Sequence, residues 1–174
     1  MKTKPLILAV LFGFGAVAPA VAKDATPNSK VQVEFVNPEK FTDVRDGFVS
    51  SDKGRAANAD AIRQYIEQRA GQYVPDGYAL AVKVTNIDLA GDFEPWGQPG
   101  AEDVRIVKDI YPPRIDLSYT LTDSAGKVVK EGTRELRDLN FLMKIDIRRT
   151  DPFRHEKSLI DDWVKKDLKP VNAG

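Results

Sequence analysis

The chain has 174 residues, with 26 basic and 26 acidic side chains and no cysteine. Without cysteine there are no disulfides and no thiolates, which excludes thiol catalysis, iron–sulfur clusters and cysteine-based zinc sites. The balanced charge lacks the basic footprint of nucleic-acid-binding proteins and gives no support for an anionic membrane surface as partner. We expect no cofactor.

The first stretch of the chain, residues 1–22, is predicted to be a signal peptide. Lys2 and Lys4 form a basic start, residues 6–17 are apolar, and Ala20-Val21-Ala22 supplies an A-x-A cleavage site. This arrangement is typical of secretory signals, so we expect the mature protein to be exported.

The domain organisation depends on whether that signal is cleaved. An uncleaved membrane anchor is the alternative, since residues 5–22 are just long enough to span a bilayer obliquely. Cleavage leaves about 150 residues, the size of one domain. We expect a disordered leader over residues 23–30 and one domain over residues 31–170. The domain has no second long apolar segment, which predicts a soluble exported protein.

The first half of the domain reads as strand, helix, strand. Val31, Val33 and Phe35 alternate with polar residues, which predicts a short strand. A helix is expected from about Asn58 to Gln72, with a possible start near Asp52, because apolar residues recur there at three- and four-residue spacing. A second long strand is then expected from Tyr78 to Leu89.

The central feature is a predicted β-hairpin between Tyr111 and Phe141. Apolar residues at every second position from Ile115 to Leu121 give the first strand one apolar face. Asp123-Ser124-Ala125-Gly126 offers a local acceptor and a glycine for the turn, and Lys127 to Arg137 returns as the second strand. Gly132 is expected to form a bulge or bend in that strand.

The final element is predicted to be an amphipathic helix. Asp151 is expected at the N-cap and Pro152 at the first helical position, followed by Leu159, Trp163 and other apolar residues at helical spacing. Strands accompanied by two amphipathic helices indicate an α+β two-layer sandwich. Its mainly antiparallel sheet has the central β-hairpin, and both helices cover the same apolar face.

The first candidate site is an acidic stretch after the second strand. Asp88, Asp92 and Glu94 lie within seven residues and are the kind of ligands that bind a hard cation such as calcium. Their spacing does not match the calcium-binding loop, which needs acids at alternate positions. The structural alternative is that these carboxylates cap the loop or pair with arginine. We assign no residue as a metal ligand.

The second candidate site is an aromatic, proline-rich rim formed by Trp96 and Tyr111 with its following prolines. Flat rings beside an extended backbone are suited to a groove for a peptide or glycan. The structural alternative is that Tyr111 begins a strand and Trp96 fixes the loop to the core. The long irregular segment between residues 91 and 109, which holds Trp96, is typical of either a functional loop or a plain connection.

Two charged groups are expected to be structural. Positions summing to about 250 should face each other across the hairpin, which would place Asp116 near Arg134 and Arg114 near Glu135. The set Arg114, Asp116, Arg134, Arg137 and Asp138 therefore predicts a cross-strand ion-pair ladder on a solvated face. Asp43 and Asp46 bracket Arg45 and suggest local pairing. The single histidine, His155, has no G-x-S-x-G elbow to serve and is expected at the surface.

Several stretches together resemble a bacterial family. These are VEFVNPEKFTDVRD, VTNIDLAGDFEP, VRIVKDIYPPRIDLSYTLTD, GTRELRDLNF and HEKSLIDDW. In this order they are similar to exported proteins catalogued as domain of unknown function three thousand and sixteen. The resemblance covers residues 31–164 and implies a bacterial, exported, single-domain protein. It implies no catalytic residue.

The function that the sequence favours is non-enzymatic binding. We expect a periplasmic binding or envelope-accessory module whose partner is a peptide, a glycan or an envelope protein. The candidate contact residues are Asp88, Asp92, Glu94, Trp96 and Tyr111. The alternative is a metal-dependent or carboxylate-based hydrolase that uses the acids of the 88–94 loop, so an enzymatic role stays open. The sequence does not define the oligomeric state.

Overall fold

A computed structural model describes residues 30–94, 100, 102–144 and 148–169. In chain order its elements are β1 (Val31–Phe35), α1 (Asp52–Gly71), β2 (Ala79–Asp88), β3 (Asp92–Phe93), β4 (Arg105–Ile106), β5 (Arg114–Thr122), β6 (Val128–Arg137) and α2 (Arg154–Asp167). Short 3-10 turns lie at Pro38–Lys40 and Phe141–Met143. The helices of this part of the chain are not long and apolar enough to cross a membrane. The predicted signal peptide lies outside the described residues.

Four strands form one mixed sheet in the order β1-β2-β5-β6. β1 runs parallel to β2, while the β2–β5 and β5–β6 pairs are antiparallel. The parallel pair requires a crossover, and α1 supplies it. β3 and β4 pair separately as a small antiparallel hairpin within the segment expected to be irregular. The α+β fold class is confirmed, with both helices on one face of the sheet.

The turn between β5 and β6 has the predicted chemistry. Asp123 Oδ1 accepts hydrogen bonds from the Ala125 and Lys127 amides at 2.9 and 3.0 Å. Gly126 has a φ of 78°, which a residue with a side chain rarely adopts. These contacts close the hairpin tightly.

The register of the hairpin differs from the prediction by one residue. A bulge near the turn adds Val129 to β6 between the partners of Leu121 and Thr122. Asp116 therefore faces Glu135, and Arg134 faces Leu117. Because a shift of one residue exchanges the two faces of a strand, Arg134 lies on the helix side of the sheet rather than on the solvated face.

Gly132 is part of the regular ladder, so the predicted bulge at this position is wrong. It lies opposite Tyr119, and a Cβ atom there would be 3.2 Å from the Tyr119 ring. The missing side chain lets Tyr119 lie over β6 and meet Trp163 edge-on, with ring centroids 5.6 Å apart. The glycine is needed for this close approach to the core rather than for backbone bending.

The core lies between the sheet and the two helices. Ile62 and Ile66 of α1 are completely buried, as are Ile160 and Val164 of α2. From the sheet, alternate residues point to the same layer, and the principal ones are Leu80, Val82, Val84, Ile87, Ile115, Leu117, Tyr119 and Leu121. The predicted apolar faces of β2, β5 and both helices are therefore the ones that pack together.

α2 begins at Arg154, so its N-cap lies two residues later than the predicted Asp151. Asp151 Oδ1 accepts from the Phe153 amide at 2.8 Å, and the Asp151 carbonyl accepts from Arg154 at 3.2 Å. Asp151 thus closes a turn that leads into the helix instead of capping the helix itself, and Phe153 occupies the cap position. α1 reaches back to Asp52, where Ser51 accepts from the Gly54 amide.

The opposite face of the four-stranded sheet has no helix over it within the described residues. It carries small and polar side chains, among them Ala79, Ala81, Lys83, Ser118, Thr120, Glu131 and Thr133, which are exposed or half-buried. We call this the open face. It ends, at the carboxyl end of β2, in the cleft described next.

Candidate functional site

A row of three charged residues crosses one end of the open face. Asp88 is the direct partner of Arg114 in the β2–β5 ladder, and Arg114 is the direct partner of Arg137 in the β5–β6 ladder. On the other side of β2, the segment at Asp43 adds an isolated parallel bridge to Asp88. The topology therefore brings together residues far apart in sequence.

A cleft of about 380 Å³ opens over this row. Its floor is the end of the sheet, and its walls are the segments before α1 and on both sides of the β3–β4 hairpin. The lining residues are Thr42, Asp43, Arg45, Asp88, Leu89, Gly91, Asp92, Ile110, Tyr111, Pro112, Arg114 and Arg137. The lining combines four arginine or tyrosine side chains with three carboxylates, so the cleft is suited to a polar ligand.

The buried carboxylate of Asp43 holds one wall of the cleft together. Arg45 Nε lies 3.1 Å from its Oδ1, and Arg105 Nη1 lies 2.9 Å from its Oδ2. Burial alone would raise the pKa of Asp43, but the hydrogen bonds from Arg105 and Arg45 outweigh it and hold the pKa below its usual value. Asp43 is therefore an ionised structural anchor. The sequence pairing of Asp43 with Arg45 is confirmed.

The small β3–β4 hairpin places Arg105 over the wall. Its guanidinium lies 4.5 Å from the centre of the Phe93 ring and donates to the Gly91 carbonyl at 2.9 Å. Gly91 has a φ of 83°, and a Cβ atom there would be 2.7 Å from the Ile106 carbonyl oxygen. Only glycine fits where the two chain segments approach so closely.

Asp92 also has its partner within the wall. Its Oδ1 is bonded by Arg45 and accepts from the Phe93 amide at 2.7 Å. Arg45 thus joins Asp43 and Asp92, and it lies over Phe93 as well, at 5.5 Å. Two of the three acids that line the cleft are consequently neutralised by arginine.

Asp88 differs from its two acidic neighbours. Within the described residues its carboxylate takes part in no ion pair or side-chain hydrogen bond, although it is half-buried. Burial raises its pKa, the Asp43 charge raises it further, and the more distant Arg105 and Arg114 only partly oppose this. Asp88 is the one carboxylate of the cleft lining that makes no ion pair within the described residues.

The three acids of the first candidate site do not converge on a shared cation position. Asp88 and Asp92 both line the cleft, but Glu94 binds Lys108 at 2.7 Å and accepts from Tyr111 Oη at 3.1 Å. The Lys108 hydrogen bond lowers the pKa of Glu94, and the Glu94 contact raises that of Tyr111. In the part of the chain that the structure describes, no group of three or more metal-ligating side chains is assembled.

The aromatic rim is described only in part. Tyr111 lines the cleft, and its hydroxyl is held by Glu94. Trp96 lies outside the described residues, so the predicted pairing of the two rings stays a prediction. His155 packs edge-on against the buried Phe141, with ring centroids 4.8 Å apart, and is half-buried rather than freely exposed.

The predicted ion-pair ladder is confirmed in one pairing and wrong in the other. Arg114 lies 3.6 Å from Glu135, as expected, and it also binds Asp116 on its own strand at 2.9 Å. Arg134, displaced to the helix side by the register, binds Asp167 of α2 at 2.6 Å. Arg137 is exposed and makes no ion pair within the described residues.

Comparison with known proteins identifies the family. The profile described as "Protein of unknown function (DUF3016)" matches residues 29–166, which is most of the chain. The chain belongs to this family. No curated protein and no solved structure matches it. The match begins just before β1 and ends within the last turn of α2, so the cleft and the core both lie inside the DUF3016 domain.

Two important residues of this DUF3016 domain were missed at the sequence level. Arg105 interrupts the apolar run Val104–Val107, and a charge in such a run is a signal for a buried partner. Glu156 occupies the apolar stripe of α2, one turn before Leu159 and Ile160, and is 1% exposed. Its Oε1 accepts from the Ala90 amide at 2.6 Å, which fixes α2 to the base of the cleft wall.

Proposed function

We propose that the protein is a periplasmic, non-enzymatic binding module that takes a polar segment of a partner, such as a peptide or a loop of an envelope protein, in the cleft at the end of the open face. The observation that supports this most is Asp88. Its uncompensated carboxylate faces a preformed cleft whose other acids are already paired with arginine. An unpaired, half-buried charge is unfavourable in the free protein and becomes favourable when a ligand neutralises it.

The surroundings of Asp88 support binding rather than catalysis. Asp43 and Asp92 hold the wall through arginines, and Glu94 holds Tyr111 and Lys108. These acids are occupied in positioning the cleft, so the hydrolase alternative has no second free carboxylate to work with Asp88 among the described residues. A glycan is less favoured than a peptide, because the described cleft presents charges and a single aromatic ring.

The periplasmic location rests on the signal-like N-terminus. Lys2, Lys4 and the A-x-A sequence at residues 20–22 are the residues that carry it. Cell fractionation followed by mass spectrometry of the purified protein tests the proposal. We expect a periplasmic protein whose first residue is Lys23. A protein that starts at Met1 in the membrane fraction would instead support the anchor alternative.

The binding function is tested by photo-crosslinking in intact cells. A photoreactive residue replaces Ile110, which lines the cleft and is 66% exposed, and the matched control replaces Val129 at the far end of β6, which is 41% exposed. We expect a discrete adduct from position 110 that disappears when Asp88→Asn is added, and none from position 129. Adducts of equal intensity at both positions, or an adduct at position 110 that ignores Asp88→Asn, would contradict the proposal.

A further inference from the structure

The two ends of the cleft carry opposite charge. Asp43, Asp88 and Asp92 lie at the end next to β2, while Arg114 and Arg137 lie at the end formed by β5 and β6. Arg45 and Arg105 are enclosed in the wall by their carboxylate partners. The charges that remain for a ligand are therefore those of the row that crosses the sheet.

At the acidic end, one negative charge is left over. Arg45 bridges Asp43 and Asp92, and Arg105 binds Asp43 a second time. Asp88 shares none of these contacts and is instead repelled by both neighbouring carboxylates. A cationic group on the ligand would relieve this repulsion.

At the basic end, one positive charge is left over. Arg114 is neutralised by Asp116, with two contacts of 2.9 Å. Arg137 lies directly opposite Arg114, and like charges opposite each other in a sheet are destabilising. Arg137 is exposed and makes no ion pair within the described residues. An anionic group on the ligand would compensate it, and the planar guanidinium suits a carboxylate.

We propose, on the basis of the binding function proposed above, that the ligand is an extended peptide segment with a basic side chain at Asp88 and an acidic side chain at Arg137. The two residues are separated by two strand spacings, about 10 Å. In an extended peptide, residues i and i+2 point to the same side about 7 Å apart. The long side chain of Arg137 covers the remaining distance, so the recognised pattern is Lys-x-Glu or its reverse.

The same charges select against other ligands. A purely anionic ligand would approach the unpaired carboxylate of Asp88, and a purely cationic one would approach Arg137. Such like-charge contacts penalise the wrong ligand, which is how specificity often arises. A peptide with adjacent Lys and Glu would direct one of the two charges away from the sheet.

The test is isothermal titration calorimetry with the mature protein and short acetylated, amidated peptides. The cores are Lys-Ser-Glu, Lys-Ser-Lys, Glu-Ser-Glu and Lys-Glu-Ser. We expect Lys-Ser-Glu to bind about tenfold more tightly than each of the other three, and we expect added salt to weaken its binding. Equal affinities for Lys-Ser-Glu and either singly signed peptide would overturn the inference.

Two variants extend the test, because each should change which peptide binds most tightly. Arg137→Glu makes both ends acidic and should shift the preference to Lys-Ser-Lys, whereas Asp88→Lys should shift it to Glu-Ser-Glu. Glu131→Gln on the same open face is the matched control and should change nothing. Arg137 and Glu131 are exposed, so those two variants should fold even if Asp88→Lys does not. Unchanged preference in Arg137→Glu would contradict the inference.

The experiments distinguish an error in the peptide inference from an error in the proposed binding function. If position 110 gives the Asp88-dependent adduct but no peptide is preferred, the cleft binds a partner of different chemistry, and only the peptide pattern is wrong. If the adduct is absent and no peptide binds, both proposals are wrong.

Discussion

The two faces of the sheet differ in burial and in how their charged side chains are paired. On the covered face, Leu117, Tyr119 and their neighbours lie under α1 and α2, and the one arginine that reaches this side, Arg134, is paired with Asp167. On the open face, a row of charges ends in a cleft where Asp88 and Arg137 are not compensated by the described protein. Burial stabilises the first face, and under the proposed function the unpaired charges of the second face are kept for a ligand.

The largest effect is expected from the covered face. Trp163 is 2% exposed and packs edge-on against Tyr119, so Trp163→Ala would leave a large cavity. We expect a loss of about 4 kcal/mol in the free energy of unfolding, measured by urea denaturation followed by circular dichroism. Thr120→Ala on the open face is the matched control and should change it by about 0.5 kcal/mol or less. A loss below about 1 kcal/mol for Trp163→Ala would contradict the assignment of the core.

The second effect is expected from the wall between the two faces. Asp43→Ala would leave Arg45 and Arg105 without their shared carboxylate, and we expect a loss of about 3 kcal/mol at neutral pH. The pKa of Asp43 is lowered in the folded protein, so its contribution is present above the unfolded value of 3.8 and is lost as the pH falls through the folded value. The free energies of unfolding of the wild type and of Asp43→Ala should therefore converge as the pH is lowered.

The control for this prediction is a carboxylate on the open face. Asp116 pairs with Arg114, which also reaches Glu135, and Asp116→Ala should cost no more than about 1 kcal/mol. Equal losses for Asp43→Ala and Asp116→Ala would show that the wall network does not differ from an ordinary surface ion pair.

The covered face could be predicted from the sequence because its signals are periodic. Alternation from Ile115 to Leu121 and the helical spacing around Trp163 specify which side of each element is apolar, and such elements can be packed only with those sides together. The hairpin register was missed because one bulged residue, Val129, has no sequence signal of its own. That single residue places Arg134 on the other face and removes the predicted pairing of Asp116 with Arg134.

The cleft could be predicted only in part because its residues come from distant segments. Asp88 and Asp92 lie close together in sequence at the end of β2, and Tyr111 ends the irregular segment that follows them. Arg137 and Asp43 join them only through strand order, which the hydrophobic pattern does not reveal. Glu94 was grouped with the cation ligands because sequence spacing does not show that Lys108 and Tyr111 already hold it.

A smaller, pH-dependent effect is expected from Glu156, which connects the covered face to the cleft. Burial raises its pKa above 4.5, although the Ala90 amide and the charges of Arg105 and Arg154 oppose the shift. The folded state then holds the proton more tightly than the unfolded state, so stability falls as the pH rises from 4.5 through the folded pKa. Glu156→Gln should abolish this fall, because a neutral amide still accepts from Ala90.

Thermal melts from acid to neutral pH test this prediction. We expect the wild type to lose stability relative to Glu156→Gln as the pH rises, while the exposed control Glu131→Gln follows the wild type. A Glu156→Gln protein that is less stable than the wild type at neutral pH would show that the ionised carboxylate stabilises the wall.

The smallest effect, and the most informative for the comparison, is expected from Asp88→Asn. The pKa of Asp88 is raised above 3.8 in the folded protein, so the ionised side chain lowers stability at neutral pH, and this cost disappears as the pH falls toward 3.8. Asparagine should therefore raise the free energy of unfolding at neutral pH by about 0.5 kcal/mol or less and leave it unchanged in acid. Urea denaturation at neutral and at acidic pH measures the free energy of unfolding under both conditions.

If Asp88→Asn stabilises the fold and also abolishes the crosslink at position 110, Asp88 has a function other than folding. The ionised carboxylate would then lower the stability of the protein while it is required for binding. A loss of stability on Asp88→Asn would instead place Asp88 with Asp43 in the wall, and the open face would then have no acidic residue reserved for a ligand.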